Sequence, residues 1–245
     1  MSPFTLTCEL GTPQGVVMPK VKQRPRFVSA PAMVPVESAT CSPDQMRAAH
    51  MLLSALLKYP EDPFSELLSS AEEIGQSLPA SIQDDLREFI DWAEEEGTRK
   101  VRSHYVDIFD QQRRCALYLS YYVAGDTRLR GSAILGFRQF LSALGYELAK
   151  DELDDYLPVI LELSAVSGDP MVWELLASHR EGVEVMRSAL HQAKSPYRHL
   201  LDALARTLPE VDAETNERFQ RLVSQGPPTE MVGVQEIPWP TRSHQ

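Results

Sequence analysis

The sequence predicts an all-α fold, a single helical-bundle domain, on three observations. Apolar residues recur at i, i+3 and i+4 in segment after segment between Ser42 and Ser224. Ser, Asp or Thr, often followed by Pro, opens those segments. No period-2 alternation survives more than four or five residues, and alternating βαβ units are absent.

The first segment, "SPDQMRAAHMLLSALLKYP", has Ser42 as N-cap, Pro43 at the first helical position and Gln45 to close a capping box. Ala49, Leu52, Leu53 and Leu56 then share one face, and Pro60 ends the helix. Asp62 with Pro63 starts a second helix carrying Leu67, Leu68 and Ile74. Ser81 starts a third with Leu86, Phe89 and Ile90, and Gly97 stops it. Thr98 begins a fourth through Val101, Tyr105 and Phe109. Asp126 or Thr127 caps a long helix with a stripe of Ala133, Phe137, Phe140, Leu141, Leu144 and Leu148, whose last turn Gly145 weakens. Later helices begin at Asp155, at Asp169 with Pro170, and at Ser195 with Pro196. The last carries Tyr197, Leu200, Leu201, Leu204 and Leu208 up to Pro209.

These signals place an all-helical domain over residues 41–224. Residues 1–40 hold six prolines and a basic cluster of Lys20, Lys22, Arg24 and Arg26, and residues 225–245 hold four more prolines. Both are expected to be disordered tails, with Trp239 the one residue there suited to docking. At 245 residues and 43% hydrophobic, the chain can close a core without staples. A net charge of −11 argues against phosphate neutralisation, hence against nucleic-acid binding, and favours a basic partner. Cys8, Cys41 and Cys115 are odd in number and far apart, which fits a reducing cytoplasm better than a disulfide framework. With neither an 18-residue apolar run nor a signal-like start, a cytoplasmic protein with no membrane span is expected.

Chemistry is sparse. There is no GxxxxGK[ST], GxGxxG, HExxH, GxSxG or paired CxxC. Among the six histidines, His191 and His199 are two turns apart but lack a second pair of ligands, so no metal site is expected. In "KDELDDYLPVILELSA", Asp151, Glu152, Asp154, Asp155 and Glu162 crowd an apolar run, where a carboxylate pair can do acid/base work; the preferred reading is that they complement a helix dipole, with Asp155 at the start of a helix through Leu157 and Leu161. In "RRCALYLSYYVAGDTRLRG", Arg128 and Arg130 can hold a phosphate or carboxylate, or pair with the chain's own 35 acidic residues. The residues alone describe an aromatic-lined, mixed-charge surface suited to binding rather than catalysis.

Three blocks in order, Tyr105 to Asp110, "LYLSYYVAGDTRLRG" (Leu117 to Gly131), and Asp155, Leu157 and Pro158 with Glu162 a turn later, resemble the NarJ family, the delta subunit of respiratory nitrate reductase. The resemblance covers about residues 46–208; Asp154 departs from it where a proline is usual. It implies a TorD-like all-helical chaperone and not an enzyme. Such a chaperone binds the apo catalytic (alpha) subunit of nitrate reductase, including its twin-arginine-like N-terminal leader, and keeps it competent for molybdenum cofactor insertion and membrane docking. It carries no cofactor itself and is a monomer or weak dimer. The alternatives are a structural subunit of the complex or a chaperone for another molybdoenzyme. The peptide site implied comprises Tyr105, Phe109, Leu117, Tyr118, Tyr121, Asp126, Arg128, Arg130, Asp155, Tyr156, Leu157 and Glu162, with aromatic and leucine walls for an apolar helix face and carboxylates for basic residues.

Overall fold

A computed structural model describes residues 36–125, 129–146 and 153–209. Among these, all regular structure is helical apart from one isolated bridge. Asp126, Thr127, Arg128, Leu148 and the expected tail segments 1–35 and 225–245 lie outside the described residues.

Helix α1 (Pro43–Leu57) starts as its sequence dictates. Gln45 N–H donates to Ser42 Oγ at 3.2 Å while Ser42 N–H donates to Gln45 Oε1 at 3.0 Å, so two orphan donors are satisfied reciprocally. Helix α2 (Phe64–Gly75) buries Phe64, Leu68, Ala71 and Gly75. Ile74 falls just outside that stripe and is 43% exposed, against expectation. Helix α3 (Ala80–Glu96) begins after Pro79, slightly ahead of the expected Ser81, and ends at Gly97, whose φ of 75° suits a residue without Cβ. Helix α4 (Thr98–Tyr105) runs into one π-turn, Val106–Asp110, and then a 3-10 turn, Arg113–Cys115.

A short helix absent from the sequence reading follows, α5 (Leu119–Ala124), then α6 (Leu129–Ala143), which buries Phe137 and Leu141. Helix α7 (Leu157–Ser167) starts two residues after Asp155. Helix α8 (Pro170–Ser178) is capped by the Asp169 carboxylate on Met171 N–H at 2.9 Å. Helices α9 (Arg180–Gln192) and α10 (Tyr197–Thr207) complete the described bundle.

Helix α1 lies at the centre, packed on α2, α7 and α10, while α10 also packs on α3 and α9. His50 ties three of them. Its Nδ1 lies 2.9 Å from Ser164 Oγ and its Nε2 lies 3.0 Å from Thr207 Oγ1. The Thr207 hydroxyl donates to Leu204 O at 2.8 Å, so it accepts from His50, which places the imidazole proton on Nε2. Residues expected in the N-terminal tail join this end of the bundle: Ala39 N–H donates to Arg206 O at 2.9 Å and Ser38 Oγ to Leu208 O at 3.3 Å.

Tyr197, fully buried, is an aromatic hub. Its ring lies 4.9 Å from Phe89, 4.9 Å from Phe109 and 5.8 Å from Tyr105, which fastens α3, α4 and the π-turn to α10. The inward face of α9 sets buried charges beside the apolar Val183, Met186 and Leu190. Arg187, buried, donates to Glu184 Oε2 at 2.8 Å and Asp202 Oδ1 at 2.7 Å, and Arg180 pairs with Glu184 at 2.9 Å. Each carboxylate there meets a cation, as burial requires. Where α9 crosses α5, Gly182 lets the chains approach so closely that a Cβ would stand 2.9 Å from Tyr122 Cβ.

Candidate functional site

Two distant segments are stitched into the floor of the site. Tyr118 and Tyr156 form an antiparallel bridge, Leu119 N–H donates to Asp155 O at 2.9 Å, and Leu157 N–H donates to Leu117 O at 2.8 Å. This fixes the starts of α5 and α7 side by side. The fully buried Asp155 carboxylate accepts from Ser120 N–H at 3.2 Å and from Ser120 Oγ. It therefore caps α5 in trans and satisfies an orphan donor of that helix, not one of α7 as the sequence had suggested. Arg130 Nε donates to the same Ser120 Oγ at 3.4 Å.

Above the floor runs a row of tyrosines. The Tyr118 ring lies 5.3 Å from Tyr156, Tyr156 Oη lies 3.2 Å from Tyr105 Oη, and the Tyr105 ring meets Tyr59 edge-on at 5.5 Å. Tyr105 spends its own hydroxyl proton on Leu57 O at 3.1 Å, so Tyr156 is the donor between the two. The Arg130 guanidinium carbon stands 5.4 Å from the centre of the Tyr118 ring, a cation on an aromatic face. Burial, and then the Asp155 charge, push the Tyr118 hydroxyl up, and burial raises Tyr105 further, so both hydroxyls stay protonated. On the rim, Lys58 Nζ is 2.6 Å from Glu162 Oε2, with side chains 39% and 47% exposed.

Tyr105, Tyr118, Tyr156, Arg130, Asp155 and Glu162 are thus brought together, with different exposures. Tyr118, Tyr156, Arg130 and Glu162 reach the surface; Tyr105 is buried, and Asp155, Leu117 and Leu157 are core residues that fix the floor. Phe109 packs into the Tyr197 hub, and Tyr121 is buried edge-on against Tyr122 at 5.5 Å. Asp126 and Arg128 lie outside the described residues. Sequence reasoning passed over Lys58 and Tyr59, which sit in the stretch it took as a helix stop, and took Asp110, an exposed carboxylate near enough to bias Tyr118, as the end of a resembling block but not as a site residue.

Elsewhere, Asp85, His199 and Asp202 bring three potential ligand atoms within 4.8 Å of one another. Arg206 already donates to Asp85 at 2.7 Å, while Arg187 and His191 hold Asp202 at 2.7 and 2.9 Å. Two guanidinium groups at the carboxylates make this an ion-pair lattice rather than a metal cradle.

The model of the nitrate reductase delta subunit family matches residues 76–203, from the end of α2 into α10. The chain belongs to that family. Among its relatives, the nitrate reductase-like protein NarX of Mycobacterium tuberculosis is 34% identical over 154 residues, 63% of this chain. This chain spans only 23% of that protein. The NarJ protein of Bacillus subtilis is 26% identical over 160 residues, 65% of this chain and 87% of its own. The nitrate reductase molybdenum cofactor assembly chaperone NarJ of Escherichia coli K12 is 26% identical over 157 residues, 63% of this chain and 66% of its own. The matched region holds the whole floor and every tyrosine of the row except Tyr59. No helix among the described residues is long and apolar enough to cross a membrane.

Proposed function

We propose that this protein is a dedicated assembly chaperone of a respiratory nitrate reductase. It binds the apo catalytic subunit, including its N-terminal leader, and holds it ready for molybdenum cofactor insertion and membrane docking. The observation that carries this reading is the family match over the helices that build the tyrosine row. The row supplies what an amphipathic basic segment needs: aromatic surface at Tyr118 and Tyr156 for its apolar face, and exposed carboxylates at Glu162 and Asp110 for its cations. Asp126 and Arg128 belong to the same proposal as flanking contacts.

The net charge of −11 favours encounter with a basic segment. Two charge-assisted hydrogen bonds of about 1.5–3 kcal/mol each, with modest apolar burial, give micromolar affinity, which suits a partner that is later released. In this reading the protein is cytoplasmic, carries no cofactor, performs no catalysis and works as a monomer or weak dimer. The test is co-purification with the apo catalytic subunit, whole or lacking its N-terminal segment. Capture that depends on that segment is expected. Equal recovery of both forms sinks leader binding while leaving a chaperone role, and recovery of neither sinks both.

A further inference from the structure

At the rim of the tyrosine row an ion pair bridges the two packed helices α1 and α7. Lys58 follows the last residue of α1 and reaches Glu162 on α7, Nζ to Oε2 at 2.6 Å, with both side chains partly in solvent. Its backbone is anchored on both sides. The preceding Leu57 carbonyl accepts from Tyr105 Oη at 3.1 Å, and the following Tyr59 ring rests against Tyr105. The amine is therefore delivered to Glu162 from a fixed root, with only the side chain's own freedom to lose. A pair this exposed contributes little to folding, about 0–1 kcal/mol. Its consequence is chemical: in the free protein the partly exposed Glu162 carboxylate is already held by an internal ammonium.

We infer that Lys58 is a specificity-determining residue, an internal competitor for Glu162 that makes the site select a guanidinium over an amine; this rests on the leader-binding reading. Replacing one ammonium by another at Glu162 exchanges like for like and gains no bond. A guanidinium can set two parallel N–H donors on the carboxylate and lie flat on an aromatic ring, neither of which Lys58 does. The row already accepts such a group, since Arg130 lies on Tyr118 at 5.4 Å. Tyr59, next to Lys58, leaves 44% of its surface exposed. The displaced ammonium swings into water, where it is well solvated.

The experiment is calorimetric titration of the full chain with the N-terminal peptide of its cognate catalytic subunit. One peptide carries arginine at every basic position and a second carries lysine at each. Wild type, Lys58→Met and Lys58→Met with Glu162→Gln are compared, each with a thermal melt. Wild type is expected to prefer the arginine peptide by roughly tenfold, the value of about one extra charge-assisted bond. Lys58→Met should tighten the lysine peptide several-fold and shrink the preference to about two- or threefold, and adding Glu162→Gln should remove that gain. Weaker binding of both peptides by Lys58→Met, or an unchanged ratio, overturns the inference and leaves leader binding standing. If neither peptide binds any of the three proteins, leader binding itself fails and the inference falls with it.

Discussion

Acidification should loosen this protein through His50 in particular. The imidazole is fully buried between α1, α7 and α10, with Ser164 and Thr207 on its two nitrogens and no carboxylate among those hydrogen-bond partners. Burial pulls its pKa from the ordinary 6.5 down to about 4. The unfolded chain therefore takes up a proton at this residue below pH 6.5 that the folded chain refuses. Stability from His50 is complete above pH 6.5, declines as the pH falls, and is gone below about pH 4. A gap of about 2.5 pH units at about 1.4 kcal/mol each corresponds to about 3 kcal/mol. Urea unfolding of wild type and His50→Gln at several values between pH 7 and 4.5 measures it. Half-buried His104, His179 and His199, each pulled down by desolvation, act in the same direction, and Asp85, raised by burial, acts in the opposite one. All four are common to both proteins, so the difference between the two slopes isolates His50. A variant that loses stability with acid as steeply as wild type, or a folded-state His50 resonance titrating near pH 6.5, would refute the reasoning.

Gly182→Ala should lower stability by about 1–3 kcal/mol, because the new methyl meets Tyr122 Cβ at 2.9 Å and neither helix backbone can yield cheaply; a melt unchanged within a degree would show that α5 can shift. Asp155→Ala should cost about 0.5–2 kcal/mol through the lost cap on α5, whereas Glu162→Gln, on the rim, should leave chemical denaturation nearly unchanged; equal losses would contradict their assigned places. A chain beginning at Ser42 should melt below one beginning at Val36, since it lacks the bonds from Ser38 and Ala39 to the end of α10, and coincident melts would make that segment an ornament.

Local signals were read correctly and distant ones were not. The Ser42–Gln45 box, the Asp169 cap before Pro170 and the Gly97 stop depend on residues within four positions of one another, so the sequence spells them out. Helix α5 has six residues and takes its cap from Asp155, 35 positions away, so nothing nearby announces it. Helix α9 hides for another reason. Its buried face has an apolar stripe of Val183, Met186 and Leu190, but Arg180, Glu184 and Arg187 are buried beside it, and these charges interrupt the pattern that a reading of hydrophobicity follows. Three of the four tyrosines in the row were visible. Tyr105, Tyr118 and Tyr156 stand in the motifs that resemble the family, while Tyr59 enters the row only because α1 ends against Tyr105. Asp155 was noticed for its charge, yet its burial gives it a task in the partner helix.

The stitch between Leu117–Leu119 and Asp155–Leu157 has a topological consequence. It pins both ends of the intervening chain, so α6 belongs to an excursion that leaves the floor and returns to it. The excursion touches the floor again through α6, where Arg130 donates to Ser120 Oγ and lies on Tyr118 and Arg138 pairs with Asp154 at 2.9 Å. Extra residues inserted beside Gly145, where the chain already turns at a φ of 84°, enlarge a closed loop, and even a doubling of loop length costs only about 0.6 kcal/mol in closure entropy. The arm can thus be lengthened near Gly145 while the tyrosines below keep their spacing, so long as α6 still delivers Arg130 to Tyr118.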